Sequence, residues 1–162
     1  MRILGIDPGV ATTGLGLVTV DERGELTHPD WLTIETPAGL PLAERLAEIE
    51  HDLSAFLKEK KPNLAVVERL FFSRNERTAM DVAQARGVIL LTLQTHGIPY
   101  LEPTPPALKS CITGDGRADK QQVQDMLVKM LTLKEIPKPD DAADALALAV
   151  FGAINHKIVS LP

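Results

Sequence analysis

Four acidic residues have the side chains and spacings that metal-assisted chemistry requires. Asp7 follows the apolar run "ILGI" and Glu68 follows "LAVV", so each acid ends a predicted buried strand. Asp141 and Asp144 lie three positions apart and therefore share one face of a predicted helix. Neighbouring strands lie about 4.8 Å apart, so pairing of the two strands would bring Asp7 and Glu68 together at one edge of the sheet.

Four carboxylates gathered at one point would repel one another, and divalent cations would relieve that repulsion. Mg²⁺ and Mn²⁺ prefer oxygen ligands. Two such ions about 3.5–4 Å apart can hold both the attacking and the leaving oxygen of a phosphoryl displacement. The acids therefore predict a metal site for phosphoryl chemistry.

Each acid also has a purely structural explanation. Asp7 precedes Pro-Gly and could seed a turn, because aspartate is a favoured turn residue. Glu68 could form an exposed ion pair with Arg69, and Asp140 or Asp141 could serve only the positive end of a helix dipole. The combination of two strands that each end in an acid with a helix bearing acids at i and i+3 favours the metal site.

The strands that carry the acids can be predicted from the apolar spacing. Residues 2–7 and 13–21 indicate two strands, with glycines in the second where side chains must be small, and the turn "DERGE" leads to a third at 31–36. These three form a predicted antiparallel meander. A fourth strand ends at Glu68 and a fifth spans 98–103.

Helices are predicted between and after these strands. Apolar residues recur at helical intervals over 42–57, with charged residues on the other side, and a second helix covers 77–95. A short helix, a Gly-rich turn and a helix beginning near Ala118 or Asp119 follow the fifth strand. A proline-delimited helix, "PKPDDAADALALAVFGAINH", completes a single α/β domain over residues 1–162 with a mixed sheet.

The composition narrows the class of protein. With 162 residues, 44% of them hydrophobic, the chain can close one core, since a domain typically takes about 100–150 residues. No apolar stretch approaches the roughly 20 residues needed to span a bilayer, and "MRILGID" reaches a charge too early for a secretory signal. The lone Cys111 suits a reducing cytosol, so we expect a cytoplasmic protein.

The net charge of −5 hides an uneven distribution. Residues 69–120 carry 7 Lys or Arg against 5 Asp or Glu, whereas residues 1–68 carry 6 against 12. A protein that binds phosphates needs a local basic surface rather than a basic total. The middle of the chain therefore allows nucleic-acid binding, although an ordinary mixed surface would explain the same charges.

Five segments resemble one known family, in the same order and across nearly the whole chain: "GIDPGVATTG", "AVVERLFFSRN", "AQARGV", "GDGRADKQQVQDML" and "PDDAADALALA". They are similar to the Holliday-junction resolvase RuvC family. The resemblance implies a ribonuclease H-like fold with a mixed five-stranded sheet flanked by helices. It also implies a bacterial homodimer that cuts two opposed strands of four-way junction DNA with two Mg²⁺ ions per site, for which Mn²⁺ substitutes. The implied setting is recombination and repair, with the branch-migration proteins RuvA and RuvB as partners.

On this resemblance, the catalytic and metal-binding acids are Asp7, Glu68, Asp141 and Asp144. Some relatives have a histidine where this chain has Asp141. The preceding Asp140 also shares a helix face with Asp144, so Asp140 stays open as the ligand, while the spacing of "DAAD" favours Asp141. The expected products are a 5′ phosphate and a 3′ hydroxyl.

The resemblance also implies residues that contact DNA. Lys120 resembles the family's active-site lysine, which would neutralise charge on the scissile phosphate, although an exposed helix lysine is the commoner case. Phe71 and Phe72 are adjacent and cannot both point into a strand's core, so they suit either an aromatic wedge at junction base pairs or separate packing positions. The residues expected to bind phosphates are Arg69, Arg74, Arg77, Lys109, Arg117 and Lys120.

The predicted helix over 77–95 is apolar on more than one side. Such a helix suits the interface of a two-fold dimer, which would supply two sites to a junction of the same symmetry. A helix buried completely within one subunit would show the same pattern.

Three rival functions remain open. An ATP-binding protein of the actin and sugar-kinase type also opens on a strand with an acid followed by Gly and Thr, but that architecture needs two such domains. A protein that binds junctions without cutting them is disfavoured by the intact set of acids. A ribonuclease H-like enzyme for RNA–DNA hybrids is disfavoured by the paired phenylalanines and the "GRADK" turn, through the resemblance alone.

Overall fold

The chain is described from a computed structural model, which covers residues 1–69 and 76–158, without the side chains of 76–78 and 158. The predictions made for Phe71, Phe72 and Arg74 fall outside the described residues, as does the side chain of Arg77. All statements below refer to the described part.

One mixed sheet organises the fold. Its strands are β1 (Arg2–Asp7), β2 (Thr12–Val20), β3 (Leu26–Glu35), β4 (Leu64–Val67) and β5 (Tyr100–Leu101), in the spatial order β3-β2-β1-β4-β5. The first three strands pair antiparallel, whereas β4 pairs parallel to β1 and β5 pairs parallel to β4. The predicted meander and the mixed five-stranded sheet are confirmed.

Five helices flank the sheet: α1 (Leu42–Lys60), α2 (Glu76–Thr95), α3 (Pro105–Thr113), α4 (Lys120–Met130) and α5 (Asp140–Asn155), followed by a 3₁₀ turn at His156–Ile158. A capping box begins α4, in which the Asp119 side chain accepts from the Gln122 N–H and the Gln122 side chain accepts from the Asp119 N–H. Gly114, in the left-handed conformation, ends α3. No helix among residues 1–69 and 76–158 is long and apolar enough to cross a membrane.

Two strands differ from the prediction by several residues. The prediction placed the start of β3 at residue 31, but the strand begins at Leu26, opposite Val20. His28, with φ of 50°, and the following Pro29 interrupt the strand pattern there and conceal it in the sequence. The fifth strand, predicted over 98–103, is only two residues long, because Pro99 and Pro103 cannot donate to a ladder.

Glycines let α5 lie directly on the sheet. A Cβ atom at Gly5 would stand 1.9 Å from the Ala145 carbonyl oxygen, and one at Gly14 would stand 2.0 Å from the Asp141 carbonyl oxygen. Real Cβ atoms essentially never approach a backbone oxygen so closely, so a side chain at either position would displace the helix. The alternation of strand side chains assigns Ile3 and Gly5 to this α5 face, and Asp7 continues the same series.

Candidate active site

Strand register brings the first two acids together. Ile6 on β1 lies opposite Val67 on β4, so the next residues, Asp7 and Glu68, are neighbours where both parallel strands end. Ile6 and Val67 pack on the α1 and α2 side, and side chains alternate along strands. Asp7 and Glu68 are therefore on the opposite face, toward α5.

The first turn of α5 brings the remaining acids to the same edge. Gly14 pairs with Asp7 across β1 and β2, and the backbone of Asp141 rests on Gly14. Asp144 lies one turn further along α5 and is partly buried. The small side chains of β2 and the alanines of α5 thus position the two acids of "DAAD" beside the strand ends.

A cavity of about 280 Å³ opens at this point. Its polar lining comes from Asp7, Glu68, Asp144 and two lysines, Lys109 and Lys120. Asp141 is outside the lining, although its charge reaches Asp7. The apolar part of the lining consists of Pro105, Leu108, Val123, Ala147 and Leu148.

The electrostatics of the cavity disfavour negative charge. Burial, followed by the charges of the neighbouring acids Asp144, Glu68 and Asp141, raises the pKa of Asp7 to about 7 against the opposing effect of Lys120. Burial, and then the charge of Asp144, also raises the pKa of Glu68, while Lys109 lowers it. These acids lie close enough to oppose one another's ionisation, which is the condition that a bound cation relieves.

Lys120 separates the roles of Asp140 and Asp141. Its Nζ donates to Asp144 Oδ2 at 3.0 Å and lies 3.1 Å from Asp140 Oδ2. Asp140 is well exposed and engages this lysine, whereas Asp141 contributes to the raised pKa of Asp7. Of these two acids, Asp141 is therefore the one whose charge acts on Asp7.

The donor set fits a hard divalent cation. Clustered carboxylates supply only oxygen ligands, which Mg²⁺ and Mn²⁺ prefer, and the raised pKa of Asp7 reflects their repulsion as well as burial. Within the described ranges, no three Asp, Glu, His or Cys side chains already converge closely enough to hold an ion. Lys120 forms an ion pair with Asp144 in this arrangement, with 3.0 Å between Nζ and Oδ2.

Substitution of Lys120 is expected to have a measurable effect on activity. Lys120→Ala removes the ammonium that faces Asp144 and the cavity, so we expect turnover on a phosphodiester substrate to fall roughly 100-fold, as when one donor to a developing charge is lost. Single-turnover cleavage assays measure this. Lys129→Ala, which alters a lysine in the last turn of the same helix, is the matched control. Equal losses in both variants would remove Lys120 from the chemistry.

The predicted DNA contacts have different surroundings. Lys109 lines the cavity, and its charge acts on Glu68. It therefore lies among the acids and not on a separate phosphate-binding surface. Arg69 and Arg117 are exposed, and the Arg69 N–H donates to the Pro103 carbonyl at 2.9 Å. Arg86, whose guanidinium contacts the backbone of Glu68, was not predicted from the sequence, although its segment "AQARGV" was among the family motifs.

Comparison with known proteins identifies relatives over nearly the full length. Residues 3–152 match the family model described as crossover junction endodeoxyribonuclease RuvC. The RuvC protein of Desulfitobacterium hafniense is 50% identical over 161 residues, covering 99% of this chain and 96% of the relative. The Thermus thermophilus RuvC structure is 33% identical with a TM-score of 0.86, covering 98% of this chain and 96% of that one. Its complex with Holliday junction substrate is 32% identical with a TM-score of 0.90, at the same coverages. The expected ribonuclease H-like fold is thereby confirmed.

Proposed function

The chain belongs to the RuvC family of crossover junction endodeoxyribonucleases, and from this premise we propose that it resolves four-way DNA junctions by paired symmetric nicks. It is a hydrolase of phosphodiester bonds that acts in recombination and repair. The observation that best supports the reaction is the meeting of Asp7, Glu68 and Asp144 with Lys120 at one cavity. Family membership supports dependence on a divalent metal, and we propose two Mg²⁺ ions, replaceable by Mn²⁺.

The residues of the cavity have distinct tasks in this proposal. Asp7, Glu68, Asp141 and Asp144 would hold the ions, which when bound supply a water of lowered pKa and stabilise the leaving 3′ oxygen. Lys120 would place its ammonium against the scissile phosphate, where negative charge develops. A 5′ phosphate and a 3′ hydroxyl are the expected products.

A substrate comparison tests the proposal. The protein is incubated with a labelled four-way junction, a linear duplex and an RNA–DNA hybrid, each with and without Mg²⁺. We expect paired nicks in the junction alone, and only with Mg²⁺. Binding without any nick would indicate a junction-binding protein that does not cut, and cleavage of the hybrid would indicate a ribonuclease.

The DNA would lie across the open side of the cavity. Arg69, Lys109 and Arg117 would bind backbone phosphates, which positions a duplex without reading its sequence. Arg74 and Arg77 belong to the same proposed surface by resemblance. Phe71 and Phe72 would stack on base pairs at the branch point. The branch-migration proteins RuvA and RuvB are the proposed partners by family membership.

A homodimer is also proposed, with α2 at its interface. Ala85, Ile89 and Leu93 bury one side of α2 in the core, but the exposed side chains of Met80 and Leu91 show that the helix is not completely enclosed within one subunit. Met80 and Leu91 are 62% and 64% exposed, although large apolar side chains on a surface helix usually face the core. A two-fold partner would cover these side chains and place two cavities on one junction.

Leu91→Glu tests the dimer. A charge at the centre of an apolar interface is strongly unfavourable, so we expect the variant to sediment as a monomer at concentrations where the parent is a dimer. Paired nicks in the junction should give way to single nicks. Ala43→Glu, on an exposed position in the first turn of α1, is the control. A dimeric Leu91→Glu protein would place the interface elsewhere.

A further inference from the structure

A guanidinium lies behind the backbone of Glu68. Arg86, near the middle of α2, donates a hydrogen bond from Nε to the carbonyl oxygen of Glu68 over 3.1 Å. Its Nη2 forms an ion pair with Glu102, the residue that follows β5. The Arg86 side chain is only 16% exposed, so water competes little for either contact.

The contact stands where the sheet no longer fixes the chain. Pairing between β4 and β5 ends two residues before Glu68. Pairing between β4 and β1 ends at Val67, and beyond that residue the Arg69 N–H donates to the Pro103 carbonyl and Arg86 donates to the Glu68 carbonyl. Arg86 thus joins three segments, namely α2, the end of β4 and the connection that leads from β5 to α3.

We propose that Arg86 is a positioning residue for the carboxylate of Glu68, and through it for the divalent cations. The inference rests on the proposed nuclease function of this cavity. The side chain of Glu68 leaves the backbone at the atom next to the held carbonyl, so fixing that carbonyl restricts the directions available to the carboxylate. A guanidinium suits the task because its rigid fork reaches two acceptors on different segments, which a lysine ammonium cannot match.

Direct metal binding tests the proposal separately from activity. We expect Arg86→Ala to weaken Mn²⁺ binding, measured by calorimetry without DNA, about 10-fold. Turnover on the junction should fall about 10-fold to 100-fold, with the KM for the junction within about threefold of the parent. Arg86→Lys should recover part of both losses.

Arg45→Ala is the matched control. Arg45 is also a partly buried helix arginine, whose Nε donates to Thr36 Oγ1 at 2.8 Å, and it joins α1 to the end of β3. Its loss should lower thermal stability while leaving the Mn²⁺ affinity unchanged. If Arg86 had only a general structural role, Arg86→Ala would behave like Arg45→Ala: its thermal stability would fall and its Mn²⁺ affinity would stay at the parental value.

Parental Mn²⁺ affinity and turnover in Arg86→Ala would overturn the inference. If Arg86→Ala does not fold, Glu102→Gln provides the test instead. This substitution leaves Arg86 in place but weakens the ion pair that orients its guanidinium. We expect its Mn²⁺ affinity to fall at least about threefold, and a parental value would overturn the inference. Failure of the parent to cut the junction would instead contradict the proposed function, while the Mn²⁺ comparison would still report on Arg86.

Discussion

Asp7→Asn is expected to abolish Mg²⁺-dependent cleavage of the junction while junction binding persists. The substitution keeps the size of the side chain but replaces the carboxylate that we propose to bind the cation by a neutral amide. We expect cleavage to fall by more than about 100-fold, the upper range for losing a group that merely supports a metal ligand. Gel-shift assays without metal should show an affinity close to that of the parent.

The same substitution should stabilise the metal-free protein. The pKa of Asp7 in the folded state is about 7, above its ordinary value of 3.8, so the folded state holds the proton more tightly than the unfolded state does. Stability is therefore lost as the pH rises from about 4 to about 7, by up to roughly 4 kcal/mol. The asparagine amide carries no charge at any of these pH values and escapes this loss.

Thermal unfolding in EDTA measures the effect. At about pH 8, Asp7→Asn should unfold several degrees above the parent, and the difference should vanish near pH 4. Asp52→Asn, on the exposed side of α1, is the control and should change neither stability nor cleavage. Parental cleavage by Asp7→Asn would remove Asp7 from the catalytic site, whereas a lower melting temperature at the alkaline end would contradict the burial of its charge.

The convergence of Asp7 and Glu68 could be predicted because it depends on short-range rules. Each acid follows an apolar strand, and parallel strands end at the same sheet edge, so the pairing of β1 with β4 suffices. Helical spacing likewise predicts that Asp141 and Asp144 share a face. That this helix face meets the strand ends depends on tertiary packing, which the resemblance supplied and local patterns could not.

Other features depend on contacts between segments distant in sequence. Lys109 and Arg86 look like ordinary helix cations, because nothing near them in the chain reveals Glu68 as their neighbour. The glycines of "TGLGL" did predict that side chains there must be small. What fills the space is α5, far along the chain, and only the structure gives Gly14 the backbone of Asp141 as its neighbour.

Gly14→Ala is therefore expected to damage the proposed catalytic site without altering any of its proposed catalytic groups. The added Cβ would stand 2.0 Å from the Asp141 carbonyl oxygen, and neither backbone segment can yield as a flexible side chain would. The first turn of α5 must move away from the sheet, taking Asp141 and Asp144 with it. A misplacement of about 1 Å can cost about 100-fold in rate, and overpacking typically costs about 1–3 kcal/mol of stability.

Gly39→Ala provides the matched comparison, since a Cβ there meets nothing within 4 Å and the backbone is not left-handed. We expect Gly39→Ala to keep parental cleavage and melting temperature, and Gly14→Ala to lose about 100-fold in cleavage even at temperatures well below its own melting point. Mn²⁺ binding should weaken in Gly14→Ala alone, because the acids of α5 have moved relative to Asp7. A destabilised Gly14→Ala protein with parental Mn²⁺ affinity and turnover would contradict this prediction. It would show that α5 adjusts around the methyl group, so that close packing on Gly14 stabilises the fold but does not position the acids.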